Sequence, residues 1–431
     1  MREEDMVLVS IDDHLIEPAG VFEAHIPDRF RDRAPKMERD ENGVDRWIFE
    51  GVEVGSPGLN AVAGWPKEEW SMDPVGLAEM RPGCYDVDQR VRDMDAAGIW
   101  KSMCFPTMGG FSMRAFNESV DKELAGAVIS AYNDWHIDEW CGPHPDRFIA
   151  LSVVPLWDPE ACAAEVRRVA AKGCRAITFP ETPYALGLPS FESGHWDPLF
   201  HALCDEGVVM CLHIGLGISL IRRPEGGSLG GPGNLGGITV ETIDTFIVLA
   251  QQVSAIALTD LVFGGTLRRF PDLKIALSEG GIGWLPFYLE KADRHWTNQV
   301  WTGARDGRLP SDLFRDQVLA CFITDPAGVK LRHEIGIDNI AWECDYPHAD
   351  STWPTAATQL AGEFAAADCS DDDINKIGWE NSCRWFGVDV SDMDRDAVSV
   401  GGLQKQGADV DVSIVSKSEW RERYALTGAE D

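Results

Sequence analysis

Seven residues with the chemistry of metal ligands stand where apolar runs of the chain give out: Asp12, His14, Glu17, His213, Glu279, Asp345 and His348. Asp12 and His14 are two apart, so on extended backbone they face the same side. Glu17 precedes Pro18 and His348 follows Pro347, which places both on turning, non-helical backbone. Glu279 is followed by Gly280 and Gly281, which let a chain turn tightly beside a ligand. Four carboxylates gathered in one place do not stay ionised together without a strong positive charge among them. Two divalent cations would neutralise four carboxylates, and seven side chains exceed what one tetrahedral zinc uses. The remaining histidines, His25, His136, His144, His195, His201, His295 and His333, fall in helical or loop stretches and are expected to be structural.

The elements that must position these groups read as alternating strands and helices. Strand-like runs occur at 6–11, 102–107, 148–156, 174–180, 208–215, 273–281, 318–326 and 339–348, most of them separated by stretches of helical period. Such alternation implies a parallel sheet, and eight units imply an α/β fold of the closed (β/α)8 barrel type, with functional groups at the C-terminal ends of the strands. An open doubly wound sheet is the alternative, but no GxGxxG follows the first strand. The expected organisation is a barrel over residues 1–390, interrupted by a Pro-, Gly- and Trp-rich lobe at 29–86 and a Gly-rich loop at 216–238. Residues 391–431 read as a polar, extended C-terminal tail.

Composition narrows the partners. The 431 residues are 44% hydrophobic with 16 Trp, enough for a sizeable core. Lys and Arg total 38 against 71 Asp and Glu, a formal charge of −33 that disfavours nucleic acid and anionic membrane. Eleven cysteines without a CxxC pair suggest free thiols in a reducing compartment. With an acidic N-terminus and no apolar run of membrane-spanning length, a cytoplasmic location is expected.

The stretches "SIDDH", "RVRDMDAAGI", "YNDW", "HWDPLF" running into "CLHIG", "SEGGIGWLP", "WECDYPH" and "ENSCRWFG" resemble the amidohydrolase-related metal-dependent barrels, the group containing aminocarboxymuconate semialdehyde decarboxylase and the resorcylate decarboxylases. The resemblance spans roughly residues 6–388. By motif position it implies that Asp12 and His14 are the strand-1 metal pair, His213 the strand-5 ligand and Asp345 the strand-8 aspartate. Where the decarboxylases carry a His before the double Gly, this chain has Glu279, and strand 4 offers no Lys for a carboxylated-lysine bridge. With Glu17 and His348 as further ligands, the set looks more like a divergent branch of nonheme diiron monooxygenases on this barrel, typified by a diterpenoid hydroxylase of platensimycin and platencin biosynthesis.

That branch implies two iron ions, with manganese or zinc as alternatives, O2 as cosubstrate and an external electron donor. It also implies hydroxylation of an unactivated C–H bond of a bulky, CoA-linked acid. Asp12, His14, His213 and Asp345 would hold the inner ion. Glu17, Glu279 and His348 would hold the second, with Glu279 or Glu17 bridging as the catalytic carboxylates. A mixed His and carboxylate set agrees with iron or manganese in type. Asp13, Glu181, Glu343 and Asp350 are candidates to orient ligating imidazoles. Arg222 and Arg223 in the Gly-rich loop would grip phosphates of the substrate. Trp65, with Leu59, Val62 and Trp70, would cover its acyl group or pack against a second copy in a homodimer. The alternative is a single-metal decarboxylase or hydrolase using zinc or manganese.

Overall fold

The computed structural model describes residues 1–41, 43–55, 58–71, 74, 76–108, 114–215, 248–303 and 305–427. Eight parallel strands lie where the apolar runs are: β1 (Val9–His14), β5 (Lys101–Phe105), β6 (Leu151–Ser152), β7 (Ala176–Pro180), β8 (Val209–His213), β9 (Ile275–Ser278), β10 (Val318–Phe322) and β11 (Ile340–Trp342). β6 to β11 form one sheet in chain order, and β1 pairs with β5. Hydrogen bonds cross both seams between these sheets. At one, Ile149 N–H reaches Ser102 O at 2.9 Å; at the other, Asp345 N–H reaches Asp12 O at 2.8 Å and His14 N–H reaches Tyr346 O at 2.6 Å. The fold is an α/β barrel.

Its interior is filled by alternate residues of the strands, among them Val9, Ile11, Met103, Phe105, Val209, Cys211, Leu319, Cys321 and the small Ala176, Ala276 and Ala341. Mixing large and small side chains lets the layers interdigitate, so the barrel is packed and not a pore. Helices cover the outside, and their ends follow local chemistry. In the helix Pro159–Ala171, the Asp158 side chain accepts from Glu160 and Ala161 N–H and Pro159 occupies the first turn.

β1 is longer than its apolar run. It continues through Asp12, Asp13 and His14, because its pairing with β5 shifts register between Ser10 and Asp13. Such an irregularity re-aims side chains at a strand end. Asp13 is thereby turned away from Asp12 and is bonded by Ser102 Oγ–H and by Tyr346 N–H at 2.9 Å.

Residues 29–86 build an antiparallel sheet of β2 (Lys36–Arg39), β3 (Asp45–Phe49) and β4 (Val52–Gly55), followed by short turns. The lobe touches the barrel mouth where Val62 and Ala63 N–H both donate to Pro347 O, at 2.9 and 3.0 Å. The C-terminal residues are not an extended tail. They form helices Arg395–Val398, Val400–Gln406 and Lys417–Thr427, and the last brings Trp420, with Val415, onto Val62 and Trp65. Val415 N–H bonds Gly64 O at 2.8 Å, Lys417 lies 4.6 Å over the Trp65 ring, and Arg421 pairs with buried Glu79. Trp65 is therefore 2% exposed and roofed by the chain's own C-terminus, where it was expected to cover a substrate's acyl group or to pack against a second copy.

No helix among the described residues is long and apolar enough to cross a membrane. All eleven cysteines are free thiols.

Trp420→Ala removes one of the two tryptophans of this lobe cluster. A loss of about 3 kcal/mol is expected from emptying such a site, read as a lower denaturant midpoint in equilibrium unfolding; an unchanged midpoint would show that the C-terminal helix does not brace the lobe.

Candidate metal centre

Six of the seven ligand-type residues meet at the C-terminal mouth, in two overlapping groups: Asp12, His14 and His213, and His14, Glu279, Asp345 and His348. His14 Nε2 is 3.5 Å from Asp12 Oδ1, 3.5 Å from Asp345 Oδ1 and 3.1 Å from His213 Nε2. His213 Nε2 is 3.6 Å from Asp12 Oδ2 and 3.4 Å from Glu279 Oε2. His348 Nδ1 lies 2.9 Å from Asp345 Oδ1, and its ring stacks on His14 at 3.9 Å between centroids. His213 Nδ1 is 2.6 Å from Ile214 O. A carbonyl only accepts, so Nδ1 carries the proton and Nε2 turns a lone pair into the site.

The backbone that delivers these groups is constrained. Glu279 and Asp345 both adopt the left-handed conformation, φ +54° and +60°, which non-glycine residues seldom occupy. Buried Arg90 donates to His14 O and to Gly83 O, the latter at 2.7 Å, and lies 4.3 Å under the Tyr346 ring. Tyr346 Oη–H donates to Asp93 at 2.8 Å, and Asp93 is bidentate with Arg81 at 2.7 Å. Arg90 and Asp93, on the helix Val87–Ala97, hold the ligand loops from outside the barrel, and Tyr346 is their contact within the loop that carries Asp345 and His348.

Burial sets the electrostatics. It pulls the imidazoles down, His14 well below its ordinary value, His213 to about 3 and His348 to about 4, so all three are neutral and have lone pairs to offer. It pushes Asp12, Glu279, Asp345 and Glu343 well above the ordinary carboxyl range. The strongest charges acting on Asp12 are all negative: Glu343, Glu279, Asp345 and Asp13. Both Asp12 oxygens are buried with no hydrogen-bond donor. Neutral imidazole nitrogens facing unpartnered buried carboxylate oxygens fit a divalent cation and suit manganese, iron or zinc alike.

Glu17 does not join either group. Its oxygens accept the N–H groups of Thr107 at 3.0 Å and Met108 at 2.9 Å. The reason is that the chain turns outward after β1, with Leu15 N–H on Phe105 O and Ile16 N–H on Cys84 O. The expected second-ion and bridging roles of Glu17 are corrected accordingly. Arg222 and Arg223 lie outside the described residues. Asp350 is near enough to act on His348 electrostatically.

An amidohydrolase family profile matches residues 23–388, and the chain belongs to that family. A 2-amino-3-carboxymuconate-6-semialdehyde decarboxylase of Dictyostelium discoideum is 23% identical over 240 residues, 53% of this chain; the match spans only 56% of that relative. A gamma-resorcylate decarboxylase of a Polaromonas species is 24% identical over 338 residues, covering 74% of this chain and 95% of the relative. Among solved structures, an amidohydrolase of Mycobacterium avium subsp. paratuberculosis superposes with TM-score 0.68 at 22% identity, over 89% of this chain and 99% of its own. A Polaromonas dihydroxybenzoic acid decarboxylase with bound manganese and 2-nitroresorcinol gives 0.55 at 22% identity, over 77% and 93%.

These relatives correct the expected activity. Both curated relatives and the Polaromonas structure are named as decarboxylases and none of the four as an oxidoreductase, so the diiron monooxygenase reading, hydroxylation of a CoA-linked acid, is overturned, and the alternative, a metal-dependent decarboxylase or hydrolase, is the better supported. A carboxylate-rich His site misled because iron and manganese draw on the same donor types.

Glu17 makes a pH-dependent contribution to stability. Burial raises its carboxyl from 4.5 to about 7, so the folded chain holds a proton that the unfolded chain releases across that window. Stability contributed by this group is present below pH 4.5 and is lost as pH rises towards 7. Glu17→Gln is expected to remove that downward slope in a plot of unfolding midpoint against pH; an unaltered slope would exclude a buried protonated Glu17.

Proposed function

We propose that this chain is a divalent-metal-dependent, non-oxidative decarboxylase acting on an aromatic or conjugated carboxylic acid. The observation that carries the reading is the pair of unpartnered, fully buried Asp12 oxygens facing the neutral imidazoles of His14 and His213. The named activities of the relatives supply the reaction class.

Asp12, His14 and His213 would hold one ion. Glu279 and His348 would hold a second, with Asp345 facing both through an oxygen 3.5 Å from His14 and 2.9 Å from His348. A bound divalent cation supplies positive charge that draws electron density from the substrate's oxygens. The chain's own residues do the rest. The strained backbone at Glu279 and Asp345 aims both carboxyls into the bowl. When the carbon–carboxylate bond breaks, its electron pair stays on the carbon, CO2 leaves, and a proton from solvent takes its place on that carbon. No electron donor is consumed.

Protein purified without added metal is expected to contain manganese, zinc or iron and to release CO2 from a dihydroxybenzoate such as gamma-resorcylate. Chelation should abolish release and Mn2+ should restore it. Asp12→Ala should weaken Mn2+ binding more than about 100-fold, beyond the loss seen when only a ligand's supporting partner is removed. Metal-free protein that refuses Mn2+, or loaded protein that consumes O2 and releases no CO2, would reject the proposal.

A further inference from the structure

Glu343 is a buried acid that neither candidate ligand group contains. It follows β11 and shares the strand's inward-facing side with Ala341, two residues before it. Its own N–H is tied to Phe322 O at 3.0 Å, which fixes the residue against the neighbouring strand. Its Oε1 accepts the backbone N–H of Glu279 at 2.9 Å. Its Oε2 is buried without a hydrogen-bond partner.

The recipient of that bond matters. Glu279 sits at φ +54°, a left-handed conformation that is strained for an L-residue. Gly280 and Gly281 follow, so the backbone beyond it turns readily and does not by itself hold Glu279 in place. A hydrogen bond to the Glu279 amide from a rigid strand end supplies that hold. It also satisfies an amide that would otherwise be left without its acceptor beside a cluster of acids. The arrangement links the end of β9 directly to the end of β11, the two strand ends that deliver Glu279 and Asp345.

We infer that Glu343 is a positioning residue: it orients no imidazole but clamps the backbone of Glu279, so that the Glu279 carboxylate is presented to His14, Asp345 and His348. The inference deepens the metal-centre reading given above and rests on it for its consequence, although the clamp itself does not need the metal.

Two variants separate the clamp from the charge. Glu343→Gln keeps a carbonyl acceptor for the Glu279 amide and removes the negative charge; Glu343→Ala removes both. The full-length chain is used throughout. Hydrogen exchange of the peptide spanning 275–284 is measured first, without metal. Exchange at Glu279 is expected to accelerate at least tenfold in Glu343→Ala and to stay near wild type in Glu343→Gln, while peptides from β7 and β8 are unchanged and report an intact barrel. Mn2+ binding is then followed by electron paramagnetic resonance titration. Loss of the clamp should weaken the ion held by Glu279 and His348 about 10–100-fold, leave the ion at Asp12, His14 and His213 in place, and be rescued by Gln. Unchanged exchange in Glu343→Ala overturns the inference, as does a Gln variant that behaves like Ala. If exchange follows the expectation while wild-type protein binds no second ion, the clamp stands and the two-ion reading falls.

Discussion

Negative charge buried without enough positive charge to balance it is the constraint on which this structure turns. Asp12, Glu279, Glu343 and Asp345 share a space from which water is largely excluded, facing imidazoles that burial keeps neutral. In a medium of low dielectric such a set is far from its lowest free energy unless protons or cations enter it. Arg90 does not relieve it, since its guanidinium is spent on the carbonyls of His14 and Gly83 and on Cys104, and the acid it acts on is Asp13. The mouth of the barrel gathers the side chains that could hold cations.

The rest of the chain keeps this unfavourable arrangement from relaxing. A register shift in β1 separates Asp12 from Asp13, so that one acid faces the centre and the other is used as a bolt to Ser102 and Tyr346. The loop carrying Asp345 and His348 is held from three sides: by Asp12 O, by the Arg81–Asp93–Tyr346 chain, and by the two lobe amides on Pro347 O. The lobe in turn is braced by the C-terminal helix through Trp420 and Arg421. Segments far apart in sequence thus converge on one short loop, which is how a strained ligand conformation persists in a folded chain.

The chain belongs to the amidohydrolase family, and the group that follows β9 here is a glutamate with a second, buried glutamate behind it. That pair adds two carboxyls beside the Asp12, His14 and His213 corner. It also explains why carboxylate count alone was a poor guide to reaction type: the same donor set serves iron and manganese, and redox chemistry needs more than ligands.

The sequence by itself determined the barrel, because eight short apolar runs separated by helical periods have few other ways to bury both faces of a sheet. It also located six residues that the fold brings together, because each stands where an apolar run ends and strand ends meet at one mouth. Only the tertiary structure decided the fate of Glu17, which shares the sequence signature of its neighbours but turns away to meet two amides of another loop. It alone showed that Trp65 lies under the C-terminal helix and that Glu343 binds a backbone amide, since both depend on contacts between residues tens to hundreds of positions apart. Local pattern records which residues can do chemistry at a strand end; which way the chain leaves that end is set by long-range hydrogen bonds that no local pattern contains.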